Sequence, residues 1–253
     1  NHLNEGTTIH WHGIRLPNAM DGVPVITQPN VAPGESFVYE FTPPDAGSFW
    51  FHPHANSVEQ VGRGLAGALI VEEKEPVPFD ADIPLVVKDW VIDKKTGDFA
   101  SFTSPRRAGR AGTFGALRTV NGMVSPEYPL PAGGWARLRL INVDATRIYK
   151  VILEPLEETG GDADWEAHII AIDGNAIAQP VPLGREAIGS GQRLDIALRA
   201  PSRPGARLAL KNTSTSKPWV MAGFTTVPPQ RPVQAEMPGL PLNPVPEPDL
   251  ARA

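Results

Sequence analysis

Proline and glycine recur so often along this chain that a long helix has little room to form. The 253 residues include 28 prolines and 24 glycines. No segment sustains the spacing of three and four between apolar residues that is typical of an amphipathic helix. Short strands joined by turns fit such a chain better, so the sequence predicts an all-β fold.

Two groups of strand-like runs follow one another along the chain. The first group lies before residue 79 and covers residues 36–41, 47–52 and 67–72. The second group covers residues 83–90, 135–142, 167–174, 194–198 and 207–210. Several runs alternate apolar with polar side chains, as half-buried antiparallel strands do, and many short strands with turns between them indicate β-sandwiches.

The end of the chain is rich in proline and carries no strand pattern. The sequence therefore predicts three parts, which are one domain over 1–78, a second over 79–228 and a semi-rigid linker over 229–253. With 41% hydrophobic residues, the two domains have enough apolar material for packed cores.

Charge and cysteine content exclude several classes of protein. A net charge of -5 and a pI near 5.7 give no basic surface that would attract nucleic acid or anionic lipid. No apolar run approaches the roughly twenty residues of a membrane-spanning helix. The chain has no cysteine, which excludes disulfides, thiolate metal ligands and cysteine nucleophiles within it.

Histidine is concentrated in two short pairs, which are His10 with His12 and His52 with His54. They account for all but two of the six histidines. On a strand, residues i and i+2 point to the same face, roughly 6 to 7 Å apart. If the two strands lie side by side, four imidazoles converge on one small volume, where each buried nitrogen needs a partner.

A metal ion would satisfy these nitrogens. Imidazole ligands without thiolate or carboxylate suit copper, zinc, iron or nickel, and geometry selects among these metals. A single His-x-His pair often arises by chance and usually means surface or satisfied core histidines. Two pairs that hold most of the histidine favour a metal site, and the alternative is a β-sandwich binding module with structural histidines.

The residues around the two pairs resemble a known family. The motifs are TIHWHG (8–13), MDGVP (20–24), GSFWFHPH (47–54) and GLAGALIVE (64–72). They are similar to the first cupredoxin domain of the three-domain multicopper oxidases, which include laccases and bacterial cuprous oxidases. Further motifs, VNG (120–122), RLRLIN (137–142), AIDG (171–174) and GQRLD (191–195), resemble that family's middle domain, which carries no copper.

The resemblance implies two cupredoxin-like Greek-key β-sandwiches, the first without its opening strands. It also implies a reaction in which O₂ is reduced to water at a three-copper cluster, with electrons that an unidentified reducing substrate delivers through a separate blue copper. His10 would bind the type 2 copper. His12, His52 and His54 would bind the type 3 copper pair.

Asp21 matches the position of a family carboxylate that delivers protons through water. Reduction of O₂ to two waters consumes four protons, and a carboxylate can hold and pass them. The alternative is a turn residue, because Asp21 and Gly22 form a common turn pair. Trp11 and Trp50 fit core packing better than electron transfer.

The chain departs from the family in its missing third domain. That domain would supply the other cluster histidines and the blue copper site, which needs a thiolate. We therefore expect a fragment that holds half of the three-copper cluster, depends on a third cupredoxin domain or another chain, and is inactive alone. The resemblance implies a periplasmic or secreted parent protein. The alternative is a non-catalytic copper-binding or structural cupredoxin pair.

Overall fold

A computed structural model describes residues 1–103, 112–156 and 164–244. Within these ranges the chain forms fourteen strands and one short α-helix, α1 (Ser57–Gly62), so the all-β prediction is confirmed. The strands are β1 (His10–His12), β2 (Gly47–His52), β3 (Gly67–Val71), β4 (Ala81–Trp90), β5 (Leu117–Val120), β6 (Glu127–Pro131), β7 (Trp135–Asn142), β8 (Tyr149–Pro155), β9 (Glu166–Ile172), β10 (Asn175–Pro182), β11 (Glu186–Ile188), β12 (Arg193–Arg199), β13 (Arg207–Asn212) and β14 (Trp219–Val227). The helices within these ranges are all too short to span a membrane.

The first part of the chain contributes a three-stranded sheet in the order β1-β2-β3. Both pairings are antiparallel. One face of this sheet carries Trp50, which packs with Ile141 and Val143 of the second part in a small apolar cluster. The sheet therefore lies directly against the second part and shares buried surface with it.

The predicted strand over residues 36–41 is wrong, because this segment forms no strand in the structure. Its alternation of side chains is nevertheless real, since the rings of Tyr39 and Phe41 both pack edge-on against Trp11. Strand structure also needs a backbone partner. None of the described strands pairs with this segment.

Strands β4 to β14 form a β-sandwich of two sheets. One sheet has the order β10-β9-β12-β7-β4-β5 and the other has the order β11-β8-β13-β14-β6. Alternate residues of both sheets point inward and share one apolar core, as sandwich strands require. Its fully buried members include Leu85, Leu138, Leu140, Val151, Ile196 and Leu210.

Strand β7 corrects the expectation that the polar face of an alternating strand meets water. Every residue of β7 is buried. Leu138 and Leu140 point into the sandwich core, while Arg137 and Arg139 point to the opposite side and are only 1% and 3% exposed. That side is buried because the first sheet and the residues after β3 cover it.

Ion pairs compensate these buried arginine charges. The Arg137 guanidinium donates to Asp195 Oδ2 on β12 at 2.7 Å and to Glu73 Oε1, just after β3, at 2.6 Å. Arg139 donates twice to the Asp82 carboxylate, at 2.6 Å each, and once to Ser48 Oγ on β2 at 3.2 Å. The two parts of the chain are thus joined by hydrogen-bonded charges as well as by apolar contact.

The described part of the predicted linker, residues 229–244, contains no strand and lies against both parts of the chain. Met237 and Leu240 pack on the buried cluster around Trp135. Asn243 accepts from the Ala46 amide at 3.1 Å and donates to the Ala46 carbonyl at 3.0 Å. Residues 245–253 of the predicted linker lie outside the described residues.

Replacement of Arg137 should strongly destabilise the fold. In the Arg137→Met variant, the buried Asp195 and Glu73 carboxylates lose the guanidinium that donates to both of them, and a broken buried pair typically costs about 3–5 kcal/mol. Urea unfolding measures the loss. The control is Arg199→Met, because Arg199 is 45% exposed and its pair with Glu166 is long, at 3.6 Å. A loss at Arg137 no larger than at Arg199 would contradict the role of this pair.

Candidate metal centre

The pairing of β1 with β2 places the histidines next to one another. His10 lies directly opposite His52, and His12 lies opposite Trp50. Because opposite residues of an antiparallel pair share a face, these four side chains point the same way. Trp11 and Phe51, the next opposed pair, point to the other face. This is the arrangement that the His-x-His spacing predicts.

Three of the histidines are close enough to share one metal ion. His10, His12 and His52 each have a ring nitrogen that lies within 4.8 Å of the corresponding nitrogens of the other two. The shortest approach is from His12 Nδ1 to His52 Nε2, at 3.3 Å. Without a metal, this distance is that of a hydrogen bond, so one of the two nitrogens carries the proton and the other accepts it. With a metal, neither nitrogen needs a proton, and both lone pairs can point to the ion.

His54 lies beside this group but is more exposed. It follows Pro53 beyond the end of β2, and its ring centroid is 4.7 Å from that of His10 and 5.2 Å from that of His52. The Thr8 hydroxyl accepts a hydrogen bond from the His54 backbone amide at 3.3 Å. The structure therefore brings all four predicted rings together, with His54 outside the tight group of three.

Two of the rings are oriented by hydrogen bonds at Nδ1. His10 Nδ1 lies 2.8 Å from the Asp21 carbonyl oxygen and 3.2 Å from the Asp21 carboxylate. His52 Nδ1 lies 3.0 Å from the Pro53 carbonyl oxygen. A histidine whose Nδ1 donates in this way keeps the lone pair of Nε2 for a metal. Asp21, predicted as a site residue, is therefore in contact with His10.

Burial and mutual repulsion favour the neutral form of His12, His52 and His54. Burial, followed by the charge of Arg193 and the nearby histidines, lowers the pKa of His12 from 6.5 to about 3. Burial also lowers the pKa of His52 to about 4, although its hydrogen bond to Pro53 opposes this shift. The pKa of His54 falls for the same main reason. Only a neutral imidazole can bind a metal, so the lowered pKa values favour metal binding by these three rings.

Residues of the second part of the chain complete the surroundings. A cavity of about 290 Å³ reaches His12 and His52, and its walls include Val58, Val61 and Gly191. The guanidinium of Arg193, at the start of β12, is close enough to lower the pKa of His12. Sequence reasoning missed Arg193 and Gly191 as site residues. Their only signal was the GQRLD motif over residues 191–195.

Trp50 belongs to the site as well as to the core. Its ring stacks on His52 with centroids 4.2 Å apart and lies 4.9 Å from the ring of His12. It is only 4% exposed and packs in the cluster with Ile141. The predicted packing role is therefore correct, and the same packing fixes two of the imidazole rings.

Comparison with known proteins agrees with this geometry. Residues 1–76 match a family model described as multicopper oxidase. A solved multi-copper oxidase from Pseudomonas Thermotolerans is 45% identical, with a TM-score of 0.88 over 99% of this chain and 58% of that chain. Residues 1–76 are thus similar to a multicopper oxidase domain, and the whole chain is similar to solved multicopper oxidases over more than half of their length. The match over nearly the whole chain confirms the cupredoxin-like architecture and the resemblance seen in the motifs.

Other relatives match shorter stretches of the chain. Copper resistance protein A of Escherichia coli is 38% identical over 42% of this chain and 19% of its own length. Laccase-1 of Cryptococcus neoformans var. grubii is 35% identical over 64% of this chain and 31% of its own length. The chain thus spans less than two thirds of the length of each of these relatives.

The lowered pKa values predict that the metal-free chain loses stability in weak acid. As the pH falls from about 6.5 to about 4, an unfolded chain takes up protons at His12 and His52 while the folded chain does not. The unfolded state then binds more protons, so the free energy of unfolding falls over this window. Urea unfolding at several pH values should show a shallower fall for His12→Gln than for wild type.

His2 provides the control for this pH series, because it is exposed and lies outside the group of rings. His2→Gln should retain the wild-type pH dependence. Equal slopes for wild type and His12→Gln would contradict the buried, neutral state of His12.

Proposed function

We propose that this chain is part of a copper-dependent oxidase that couples one-electron oxidation of a reducing substrate to four-electron reduction of O₂ to water. The observation that carries this proposal is the convergence of the His10, His12 and His52 ring nitrogens within 4.8 Å, with His54 beside them. The similarity of the chain to multicopper oxidases supports copper as the metal, and the imidazole donors suit copper.

The proposed ligand roles follow the geometry of each ring. His10 and His52 would bind through Nε2, because their Nδ1 atoms are engaged by Asp21 and Pro53. His12 would bind through Nδ1, the atom that faces His52 Nε2. By the family resemblance, His10 would bind the type 2 copper, and His12, His52 and His54 would bind the type 3 pair. These four histidines are half of the ligands of the three-copper cluster. When bound, copper would accept electrons one at a time and supply them for the reduction of O₂ to water.

Asp21 is the proposed proton carrier of the site. Its carboxylate lies 3.2 Å from His10 Nδ1 and its side chain is 31% exposed, so it can exchange protons with water and with the site. Asp21 also ends a 3₁₀ turn through its amide, which donates to the Asn18 carbonyl at 3.2 Å. The turn role and the proton role use different atoms and are compatible.

The proposal extends to the organisation of the whole protein. We infer a first cupredoxin domain over 1–78, a second over 79–228 and a linker over 229–253. The remaining cluster ligands and the blue copper would come from a third cupredoxin domain or another chain. The kinship with copper resistance protein A and laccases supports a periplasmic or secreted location.

A second candidate is a copper-binding cupredoxin pair without turnover. It is favoured by the absence of cysteine from these 253 residues, because a blue copper site needs a thiolate. For the chain alone both candidates predict metal binding. They differ only in what the complete protein does.

Copper titration tests the site directly. The chain should bind Cu(II), and His12→Ala or His52→Ala should weaken this binding by more than the roughly 10- to 100-fold expected for the loss of a residue that only supports a ligand. His2→Ala and His168→Ala are matched controls, since these are the other two histidines of the chain. Absence of copper binding, or equal losses in the control variants, would refute the proposed site.

Oxygen uptake tests whether the chain is inactive without the remaining copper ligands. The chain alone, loaded with copper, should not sustain O₂ consumption with phenolic or cuprous substrates, because half of the ligands and the thiolate are not encoded in it. An oxygen electrode measures this. Sustained turnover by the chain alone would contradict the proposal.

A further inference from the structure

The turn before β12 forms a wall against the ring of His12. A Cβ atom added to Gly191 would lie 3.2 Å from His12 Cε1 and 3.4 Å from Trp50 Cζ2. The backbone at Gly191 therefore lies close to the edge of the His12 ring, while Trp50 packs against the same ring. The second part of the chain thus limits where His12 can point, although it provides none of the four predicted ligands.

Arg193, two residues after Gly191, ties this turn to the first sheet. Its Nε donates to the Ser48 carbonyl on β2 at 3.1 Å. Nη1 donates to the Gly191 carbonyl at 2.9 Å, and Nη2 donates to the Asp173 carbonyl at 2.8 Å. One side chain, 3% exposed, thus joins three backbone segments that are distant in sequence.

The same guanidinium lies against the residue that follows His12. A Cβ atom added to Gly13 would collide with Arg193 Nη2 and lie 3.1 Å from Cζ. Gly13 has a φ of +89°, so the chain leaves β1 through a turn that favours glycine. The turn after His12 can approach the guanidinium so closely only because residue 13 has no side chain.

We propose that Arg193 is a positioning residue for the metal centre, which fixes His12 by holding the Gly13 turn and the Gly191 turn against β2. This inference rests on the proposed function. The planar guanidinium presents its donors in a rigid fork, and three carbonyls in different directions use that shape. A lysine would keep the charge but cannot satisfy the three carbonyls in the same way.

Arg139 offers a matched control. It is also 3% exposed, lies on the strand next to β12 and contacts the same residue of β2 through Ser48 Oγ. Its other donors go to Asp82, and none of its hydrogen bonds or ion pairs involves Gly13, Gly191 or a histidine. A general effect of disturbing the junction should therefore appear equally in Arg139→Lys and Arg193→Lys.

The test measures Cu(II) affinity by chelator competition, the EPR spectrum of bound Cu(II) and the unfolding temperature. Arg193→Lys and Arg193→Gln should both weaken Cu(II) binding roughly 10- to 100-fold and alter the EPR spectrum. Arg139→Lys should leave affinity and spectrum at wild-type values, even if its unfolding temperature falls. Wild-type affinity in Arg193→Lys, or an equal loss in Arg139→Lys, would overturn the inference.

Glycine variants test the same contact without removing the buried charge. Gly13→Ala should weaken Cu(II) binding, because the new Cβ collides with Arg193. Gly34→Ala is the control, since Gly34 has a similar φ of +83° but nothing within 4 Å of an added Cβ. In an Arg193→Ala background the additional loss from Gly13→Ala should shrink. Equal effects of the two glycine variants, or strict additivity with Arg193→Ala, would count against the contact.

NMR of the metal-free chain separates this inference from the proposed function. The cross-peak between the His12 and Trp50 rings should be present in wild type and Arg139→Lys and lost in Arg193→Lys. If wild type binds no copper, the proposed function fails, and the cross-peak alone decides whether Arg193 positions His12. A cross-peak that persists in Arg193→Lys would refute the positioning role.

Discussion

The candidate metal centre depends on one antiparallel pairing, that of β1 with β2. This pairing sets His10 opposite His52 and His12 opposite Trp50, so one face carries three imidazoles and an indole. A shift of one residue in the register would turn every side chain of the shifted strand to the other face, so that the two histidine pairs would no longer share a face. The strand pairing therefore brings the four side chains to one face, and the ring contacts and hydrogen bonds orient the rings there.

The packing of the imidazoles has an electrostatic consequence. Each ring lies close to at least one other, and Arg193 adds a positive charge near His12, so protonation of His12 and His52 is opposed from several directions. Desolvation acts in the same sense. Neutral imidazoles with free lone pairs are the state that a metal ion needs, while Asp21 and Pro53 occupy the nitrogens of His10 and His52 that face away from the group.

The second sandwich supports the site although it provides none of the predicted ligands. Arg137 and Arg139 on β7 join it to the first sheet through buried charges. Arg193 and Gly191 bring it within contact distance of His12. Asn243 adds a further link where the chain enters β2. Three short strands have little stability by themselves, so the first sheet depends on these contacts with the second sandwich.

The sequence by itself determined the β class, the two histidine pairs and the face that each pair presents, because these follow from a local period of two residues. It also predicted Asp21 next to the site, through a motif. Only the tertiary structure decided that the arginines of β7 are buried, that residues 36–41 lack a strand partner and that Arg193 contacts the Gly13 turn. These features depend on segments far apart in the chain, such as Arg193 and Ser48, which are 145 residues apart. A local pattern indicates which way a side chain points, but what covers it is decided by packing between distant parts of the chain.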